Sequence, residues 1–286
     1  MSLSLVSNAD SIKAQTNLKR TTQALSKTFE RLSSGLRINS AADDAAGLQV
    51  ADKLRSDARL AAVAIRNAND GLSLTAVADS ALNEIYNMLS RMAELAQQSA
   101  NGSYTQSQRS ALSSEFLALG SEIDRISKTT TFNSINLLSG SSNITLQVGL
   151  DNSTDSRITL QAVSGTLASL GLAPSGSSTL TYSIITISTD GSTYAAGVAL
   201  SAINTAISNL TATRGTLGAS ESRLSSAINY LTVARENFIA AESRIRDADV
   251  AQEVAEMVRL QVLQQSGAAV LAQANLQPEI VLALLQ

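Results

Sequence analysis

The sequence predicts a mainly α-helical fold, an elongated antiparallel coiled coil or helical bundle formed by both chain ends, with a small β-hairpin insert at its tip. The residues that break helices gather in one central stretch. Residues 139–200 hold seven of the 15 glycines, 22 serines or threonines and only four charged residues. Outside this stretch, apolar residues recur with heptad spacing. Aromatic residues make up only 3% of the chain, so most apolar side chains are small or aliphatic and suit thin seams between helices.

The N-terminal half contains three predicted helical seams. The first comprises Leu18, Thr22, Leu25, Phe29, Leu32 and Leu36, which alternate steps of four and three residues. The same alternation gives a second seam at Leu74, Ala78, Ala81, Ile85, Met88, Met92 and Leu95, and a third at Leu112, Phe116, Leu119, Ile123 and Ile126. Ser40 and Asp43 resemble a capping box, which predicts a helix start near Ala41. Gly71 and Gly102 are predicted to mark turns.

The central stretch is predicted to hold the β-structure. Residues 144–148 and 157–160 alternate apolar and polar side chains around a turn-rich segment at 151–155, which is typical of a hairpin. Residues 180–188 are predicted to form a further strand. Beyond the insert, a fourth seam comprises Leu224, Ile228, Leu231, Phe238 and Ile245. The N-terminal and C-terminal helices both need an apolar partner, so we expect the two chain ends to pack side by side.

The C-terminal segment is unusually apolar. Residues 260–286 carry one charged side chain, Glu279, and 16 apolar residues that spread around the predicted helix. A helix that is apolar on most of its faces must be covered. One interpretation is that this helix packs on its own domain. The other is that neighbouring subunits cover it during assembly.

Composition excludes several classes of function. The chain has no histidine and no cysteine, which excludes disulfides, thiolate or zinc–histidine sites and His-dependent triads. The net charge of −3 gives no basic field for nucleic acid. Adjacent residues such as Asp43 and Asp44 point about 100° apart on a helix, so they suit a first turn better than a paired acid–base site. We expect no enzymatic activity, cofactor, metal, secretory signal or membrane insertion.

Four segments resemble bacterial flagellin. They are residues 32–48 (LSSGLRINSAADDAAGL), 66–71 (RNANDG), 242–249 (ESRIRDAD) and 265–275 (QSGAAVLAQAN). The resemblance implies a structural subunit that self-assembles into the hollow helical filament used for swimming. A hook–filament junction protein is the alternative within the same family. A soluble helical enzyme or binding module is the alternative from another class.

The resemblance also implies a division of the chain and a set of partners. Residues 1–40 and 250–286 would form the coiled-coil inner layer, residues 41–145 and 200–249 the helical bundle of the outer tube wall, and residues 146–199 the hairpin with a short Ser/Thr-rich variable insert. The implied location is the extracellular filament, reached through the flagellar type III export apparatus. The implied partners are further copies of the chain, the flagellar cap and hook-associated proteins, and a flagellin export chaperone.

The predicted subunit interface combines apolar and polar residues. Its apolar members are Leu25, Phe29, Leu32, Val254, Val258, Leu263, Val270, Leu271, Leu284 and Leu285. Its polar members, near the passage from inner layer to bundle, are Arg37, Asn39, Asp43, Arg244, Arg246 and Asp247. Arginine can fork to carboxylates such as Asp43, Asp247 or Asp249, within or across subunits. The alternative is solvated surface charge, worth under about 1 kcal/mol.

Residues 89–98 resemble the bundle segment that Toll-like receptor 5 of animal hosts binds in many flagellins. The matching positions are Arg91, Leu95 and, on the next helix, Glu115. Ala93 stands where the family usually has a second arginine, a departure that bears on receptor affinity and not on filament packing. The alternative is that Arg91 and Glu115 simply lie on an interface between bundle helices.

Overall fold

The computed structural model describes residues 8–140, 142–175, 177–186 and 189–284. Its helices are α1 (Ala9–Ser34), α2 (Ala45–Ala100), α3 (Gln106–Thr129), α4 (Thr189–Arg246) and α5 (Val250–Leu284). Its strands form two antiparallel pairs, β1 (Thr131–Phe132) with β2 (Ile135–Asn136) and β3 (Ile144–Gln147) with β4 (Arg157–Leu160). This confirms the predicted mainly helical fold with a small β insert. The chain divides into two compact units, one formed by both chain ends as far as Ala58 and from Glu236 onward, the other by residues 59–235.

In the first unit, α1 and α5 pack antiparallel. The side chain of Asn8, which caps α1 by accepting a bond from the Ser11 N–H, also donates to the Ala274 carbonyl at 2.7 Å. At the other end of α1, Arg31 lies 3.2 Å from Glu253. The two chain ends therefore pair with each other, as the sequence predicted.

Small and polar side chains make up much of the seam between α1 and α5. Heptad steps connect its buried and half-buried positions, which are Ser11, Ala14, Leu18, Thr21, Leu25, Thr28 and Leu32 on α1 and Glu253, Met257, Leu260, Gln264, Gly267, Leu271 and Ala274 on α5. The predicted register was wrong at two positions, because Thr21 and Thr28 are the less exposed residues where Thr22 and Phe29 were expected. Phe29 is 48% exposed. The narrow seam accepts the compact threonine side chain and leaves the larger phenylalanine outside.

The core of the second unit lies between α2, α3 and α4. The predicted seams are confirmed there, since Ile85, Met92 and Leu95 of α2 and Phe116 and Ile123 of α3 are almost completely buried. Residues of the insert complete the same core, including the buried Val163, Leu167, Leu170 and Leu172. The Ser/Thr-rich insert therefore contributes apolar anchors as well as turns.

Gly71 does not mark a turn, because α2 continues through it from Ala45 to Ala100. Its missing side chain gives room to the hairpin instead, because a Cβ on Gly71 would clash with Leu146 Cδ1 of β3. The Asn67 side chain also donates to the Gln147 carbonyl at 3.0 Å. The β3–β4 hairpin thus packs along the middle of α2, rather than beyond the helix ends where the sequence placed it. The turn predicted at Gly102 is confirmed.

Helix α2 begins at Ala45 and not near Ala41. The main-chain N–H of Ser40 donates to Asp43 Oδ2 at 3.2 Å, but this contact closes a turn ahead of the helix. Asp44 is the residue that caps α2, since its Oδ1 accepts a bond from the Gly47 N–H at 2.9 Å. The two adjacent carboxylates therefore have separate structural tasks ahead of the helix, and the prediction that they lie in its first turn is wrong.

The strand predicted at residues 180–188 is wrong for residues 180–186, which pair with no strand in the described part of the chain; residues 187 and 188 lie outside the described residues. Their alternating apolar side chains pack against helices instead. Leu180 Cδ1 lies where a Cβ on Gly120 of α3 would clash with it, and the carbonyl of the buried Ile184 accepts a bond from Ser99 Oγ at 2.8 Å. Helix α4 then starts at Thr189, within the stretch expected to be non-helical.

Candidate functional site

Apolar residues that α1 does not cover form an exposed stripe on α5. Val250, Val254, Val258 and Val262 recur every four residues and are 58%, 40%, 50% and 56% exposed. On the same helix Leu263, Val270 and Leu276 are also exposed, and α1 adds Ile12 and Phe29. We call these nine residues the exposed terminal face. Sequence reasoning missed Val250 and Val262, although the four-residue repeat of valines is legible in the sequence.

The predicted apolar interface residues divide into two groups. Phe29, Val254, Val258, Leu263 and Val270 belong to the exposed terminal face. Leu25, Leu32 and Leu271 lie instead in the α1–α5 seam, where the chain itself covers them. The side chain of Leu284 and the whole of Leu285 lie outside what the structure describes.

The segments that join the helices of the first unit are tied by a short antiparallel main-chain contact. Leu36 and Asp247 form an isolated β-bridge. On either side of it, the Arg37 N–H donates to the Arg246 carbonyl at 2.6 Å and the Ala248 N–H donates to the Gly35 carbonyl at 3.0 Å. The segment after α1, residues 35–44, is therefore bound directly to the segment between α4 and α5, residues 247–249. We call this contact region the joint.

Arg37 binds main-chain carbonyls and not the predicted carboxylates. Its Nη2 donates to the Ile245 carbonyl at 2.7 Å, at the C-terminal end of α4, where the helix dipole favours a cation. The three carboxylates have other partners within the chain: Asp43 binds Ser40 and Lys27, Asp247 binds Ser243, and Asp249 caps α5. Among the described contacts Arg37 therefore forms no fork to the predicted carboxylates, each of which binds other groups of the chain.

The other polar residues of the joint differ in exposure. The Arg246 side chain is 15% exposed and lies 3.4 Å from Asp52, and its Nε is buried without a hydrogen-bond partner among the described residues. Asn39 donates to Ser34 Oγ at 2.8 Å, whereas Arg244 is exposed. The joint is therefore held by main-chain contacts and arginine side chains together.

Gly35 ends α1 in a left-handed conformation, with φ of 71° and its N–H donating to the Arg31 carbonyl. We expect Gly35→Ala to destabilise the unit that both chain ends form by about 1–2 kcal/mol, because an L-residue is strained at this φ. Gly197→Ala is the matched control: a Cβ meets open space at both positions, but Gly197 lies inside α4 with an ordinary φ. There we expect a gain of about 0.5–1 kcal/mol. Urea unfolding measures the change in unfolding free energy for both variants. Equal changes would contradict the left-handed conformation assigned to Gly35.

Asp43 is a carboxylate held in its charged form. Hydrogen bonds from the Ser40 side chain and main chain, and then Lys27, lower the pKa of Asp43 below its usual value. A lowered folded-state pKa stabilises the fold above the unfolded-state pKa, and this contribution is lost as the pH falls through the folded value. We expect Ser40→Ala to raise the pKa of Asp43 in an NMR titration, whereas Ser33→Ala leaves it unchanged. An unchanged pKa in the Ser40 variant would exclude this cause.

The predicted receptor positions differ in exposure. Arg91 and Glu115 are exposed and lie 2.8 Å apart, and Arg91 also lies 2.9 Å from Glu94. Leu95 is completely buried in the core of the second unit. Leu95, one of the three predicted receptor positions, is therefore not accessible to a receptor in the folded chain, because its position in the helical seam directs it inward. The ion pair joins α2 to α3, which favours the bundle-interface alternative.

Neither metal-binding clusters nor membrane spans emerge from the described ranges. Within them, no group of three or more acidic side chains is arranged to hold a metal ion. In the same ranges, no helix is both long and apolar enough to cross a bilayer.

Comparison with known proteins gives a consistent family. Residues 6–143 match the family model for the bacterial flagellin N-terminal helical region, and residues 200–285 match that for the bacterial flagellin C-terminal helical region. A flagellin of Halalkalibacterium halodurans is 40% identical over 280 residues, which cover 98% of both chains. Flagellin B of Vibrio anguillarum is 45% identical over 153 residues, which cover 53% of this chain and 41% of that relative. A Bacillus cereus flagellin crystal structure is 28% identical with a TM-score of 0.48, and the match covers 58% of this chain and 88% of that one.

Proposed function

Because the chain belongs to the bacterial flagellin family, we propose that it is a structural subunit that polymerises into the hollow helical flagellar filament used for swimming. The observation that carries this proposal is the exposed terminal face. Its valines and leucines are 40–59% exposed in the part of the chain that the structure describes, and exposed apolar surface of this kind is typical of association sites.

The energetics support assembly through this face. Each valine of the stripe is roughly half exposed, so its further burial contributes on the order of 1 kcal/mol. Association costs about 4–15 kcal/mol in lost freedom of motion. The nine residues of the exposed terminal face, buried by several neighbours at once, offset a cost of that size.

We propose the same assignment of chain segments to filament layers that the family resemblance implies. Residues 1–40 and 250–286 form the inner layer, residues 41–145 and 200–249 the outer wall, and residues 146–199 the outward insert. The division between compact units, at Ala58 and Glu236, falls within the second of these parts. In the polymer, Arg37, Asn39, Arg244, Arg246 and Asp247 take part in contacts between subunits near the joint.

The proposed location is the extracellular filament, reached by type III export. A flagellin export chaperone covers the exposed terminal face before assembly, since α5 offers the apolar stripe that such a partner needs. The cap and hook-associated proteins meet the subunit at the filament ends. Arg91 and Glu115 are the exposed positions that Toll-like receptor 5 would contact on a free subunit. The junction-protein alternative gains no support from the relatives named above, which are flagellins.

Polymerisation of the purified chain tests the proposal. We expect sedimentation velocity to show a monomer at low concentration and a fast polymer above a critical concentration, and electron microscopy to show long hollow tubes. A flagellin-null strain that expresses the chain should swim. A monomer at every concentration, or short oligomers of the kind expected from a junction protein, would refute the assignment.

A further inference from the structure

The turn between α2 and α3 contains the dipeptide Asn101–Gly102, which occurs once in the sequence. In an Asn–Gly pair the main-chain nitrogen of glycine approaches the asparagine side-chain amide without a side chain in the way. Both residues are exposed. A Cβ on Gly102 would meet nothing within 4 Å. No other part of the described fold therefore crowds Gly102 as its nitrogen approaches the Asn101 side chain.

Two hydrogen bonds prepare the pair for reaction. The Ser103 N–H donates to Asn101 Oδ1 at 3.2 Å, the oxygen on which negative charge develops when a nucleophile adds to the side-chain carbon. Arg109 Nη2 donates to the Asn101 main-chain carbonyl at 2.9 Å. That carbonyl belongs to the same peptide group as the Gly102 nitrogen. A guanidinium, which stays charged in proteins, favours the deprotonated form of this peptide and so makes the nitrogen a better nucleophile.

We propose that Asn101 is a site of spontaneous deamidation, a modification independent of the filament role. The Gly102 nitrogen loses its proton and forms a bond to Asn101 Cγ. The bond between Cγ and the side-chain nitrogen breaks, and ammonia leaves with the transferred proton. Water then opens the resulting succinimide ring at either of its carbonyls, which leaves aspartate or isoaspartate at position 101. One water enters and one ammonia leaves, so no oxidant or reductant is needed.

Other asparagines provide internal references. Asn133 and Asn152 also lie in exposed turns and are each followed by serine, whose side chain hinders the approach of the main-chain nitrogen. Among the described contacts, no guanidinium donates to either of their main-chain carbonyls. The three sites share exposure, and Asn152 Oδ1 also accepts a hydrogen bond, from the Arg157 guanidinium. Of the three, only Asn101 has both a following glycine and an arginine that donates to its main-chain carbonyl.

The reaction changes the turn as well as the charge. A carboxylate appears beside the C-terminal end of α2, where the helix dipole disfavours it. Isoaspartate also inserts a methylene into the main chain and shifts the carbonyl that Arg109 binds. Deamidation therefore accumulates with the age of the chain and alters the turn that the buried Arg109 binds.

Peptide mapping by mass spectrometry tests the proposal on the full chain, incubated at physiological temperature in mildly alkaline buffer. We expect the mass change from amide to acid at Asn101 severalfold faster than at Asn133 and Asn152, with isoaspartate detected by enzymatic methylation. Equal rates at the three sites, or slower reaction at Asn101, would overturn the proposal.

Two variants separate the contribution of Gly102 from that of Arg109. Gly102→Ala should slow reaction at Asn101 severalfold while the circular dichroism spectrum stays the same. Arg109→Met, which removes the charged donor, should slow Asn101 and leave Asn133 and Asn152 unchanged under conditions in which circular dichroism shows that the variant is still folded. If Asn101 reacts as fast or faster in either variant, the corresponding feature does not activate it.

Discussion

Val258→Asp is expected to abolish polymerisation while leaving the monomer folded. Val258 is 50% exposed in the middle of the valine stripe, so the isolated chain accommodates a carboxylate there in contact with water. In a polymer that covers the stripe, the same carboxylate is desolvated at a cost of several kcal/mol, and the apolar contact is lost. A total of about 3 kcal/mol or more raises the critical concentration at least roughly 100-fold.

The matched control at this position is Val258→Leu, which keeps an apolar side chain and should still polymerise. Sedimentation of each variant over a concentration series measures the critical concentration, and circular dichroism checks that the monomer keeps its helices. If Val258→Asp polymerises as readily as the leucine variant, the valine stripe does not form the assembly contact.

Arg109→Met is expected to lower the free energy of unfolding by about 2–4 kcal/mol, or to lower Tm by roughly 2–4 °C per kcal/mol. The Arg109 side chain is completely buried and donates to the main-chain carbonyls of Ser99, Asn101 and Tyr104. Water can reach the exposed Asn101 in its place. The carbonyl of the buried Ser99 would lose a charged donor with no replacement.

Arg125→Met is the control for this substitution on the same helix, α3. The Arg125 side chain is 60% exposed and pairs with Glu122 one turn away, and such a surface pair is worth under about 1 kcal/mol. Thermal and urea unfolding of both variants should therefore differ clearly. Comparable losses from the two substitutions would show that Arg109 does not hold the turn between α2 and α3.

Spacing and breaker residues in the sequence predicted most of the fold. Heptad steps identified the helices and the buried faces of α2 and α3, and the alternation at residues 144–148 identified the hairpin. The α1–α5 register was not predictable in this way, because shifting the seam from Thr22 and Phe29 to Thr21 and Thr28 keeps the same period. What decides between the two is the width of the seam, which depends on small partners such as Gly267 on the other helix.

The candidate site was predicted in part. Phe29, Val254 and Val258 were expected on an interface and are exposed, whereas Leu25 and Leu271 lie inside the α1–α5 seam. The turn predicted at Gly71 is wrong because spacing cannot distinguish a glycine that ends a helix from one that receives a leucine of a distant strand. The sequence predicts carboxylate partners for Arg37 because it does not reveal which carboxylates cap helices or close turns.

The polar composition of the α1–α5 seam has a thermodynamic consequence. Threonine, glutamine and glycine alternate in it with leucines such as Leu25 and Leu260, so the seam removes less apolar surface from water than an all-leucine seam would. Much of the apolar surface of these helices therefore stays hydrated in the isolated chain. Elongation of a polymer that covers it should lower the heat capacity, which calorimetry measures.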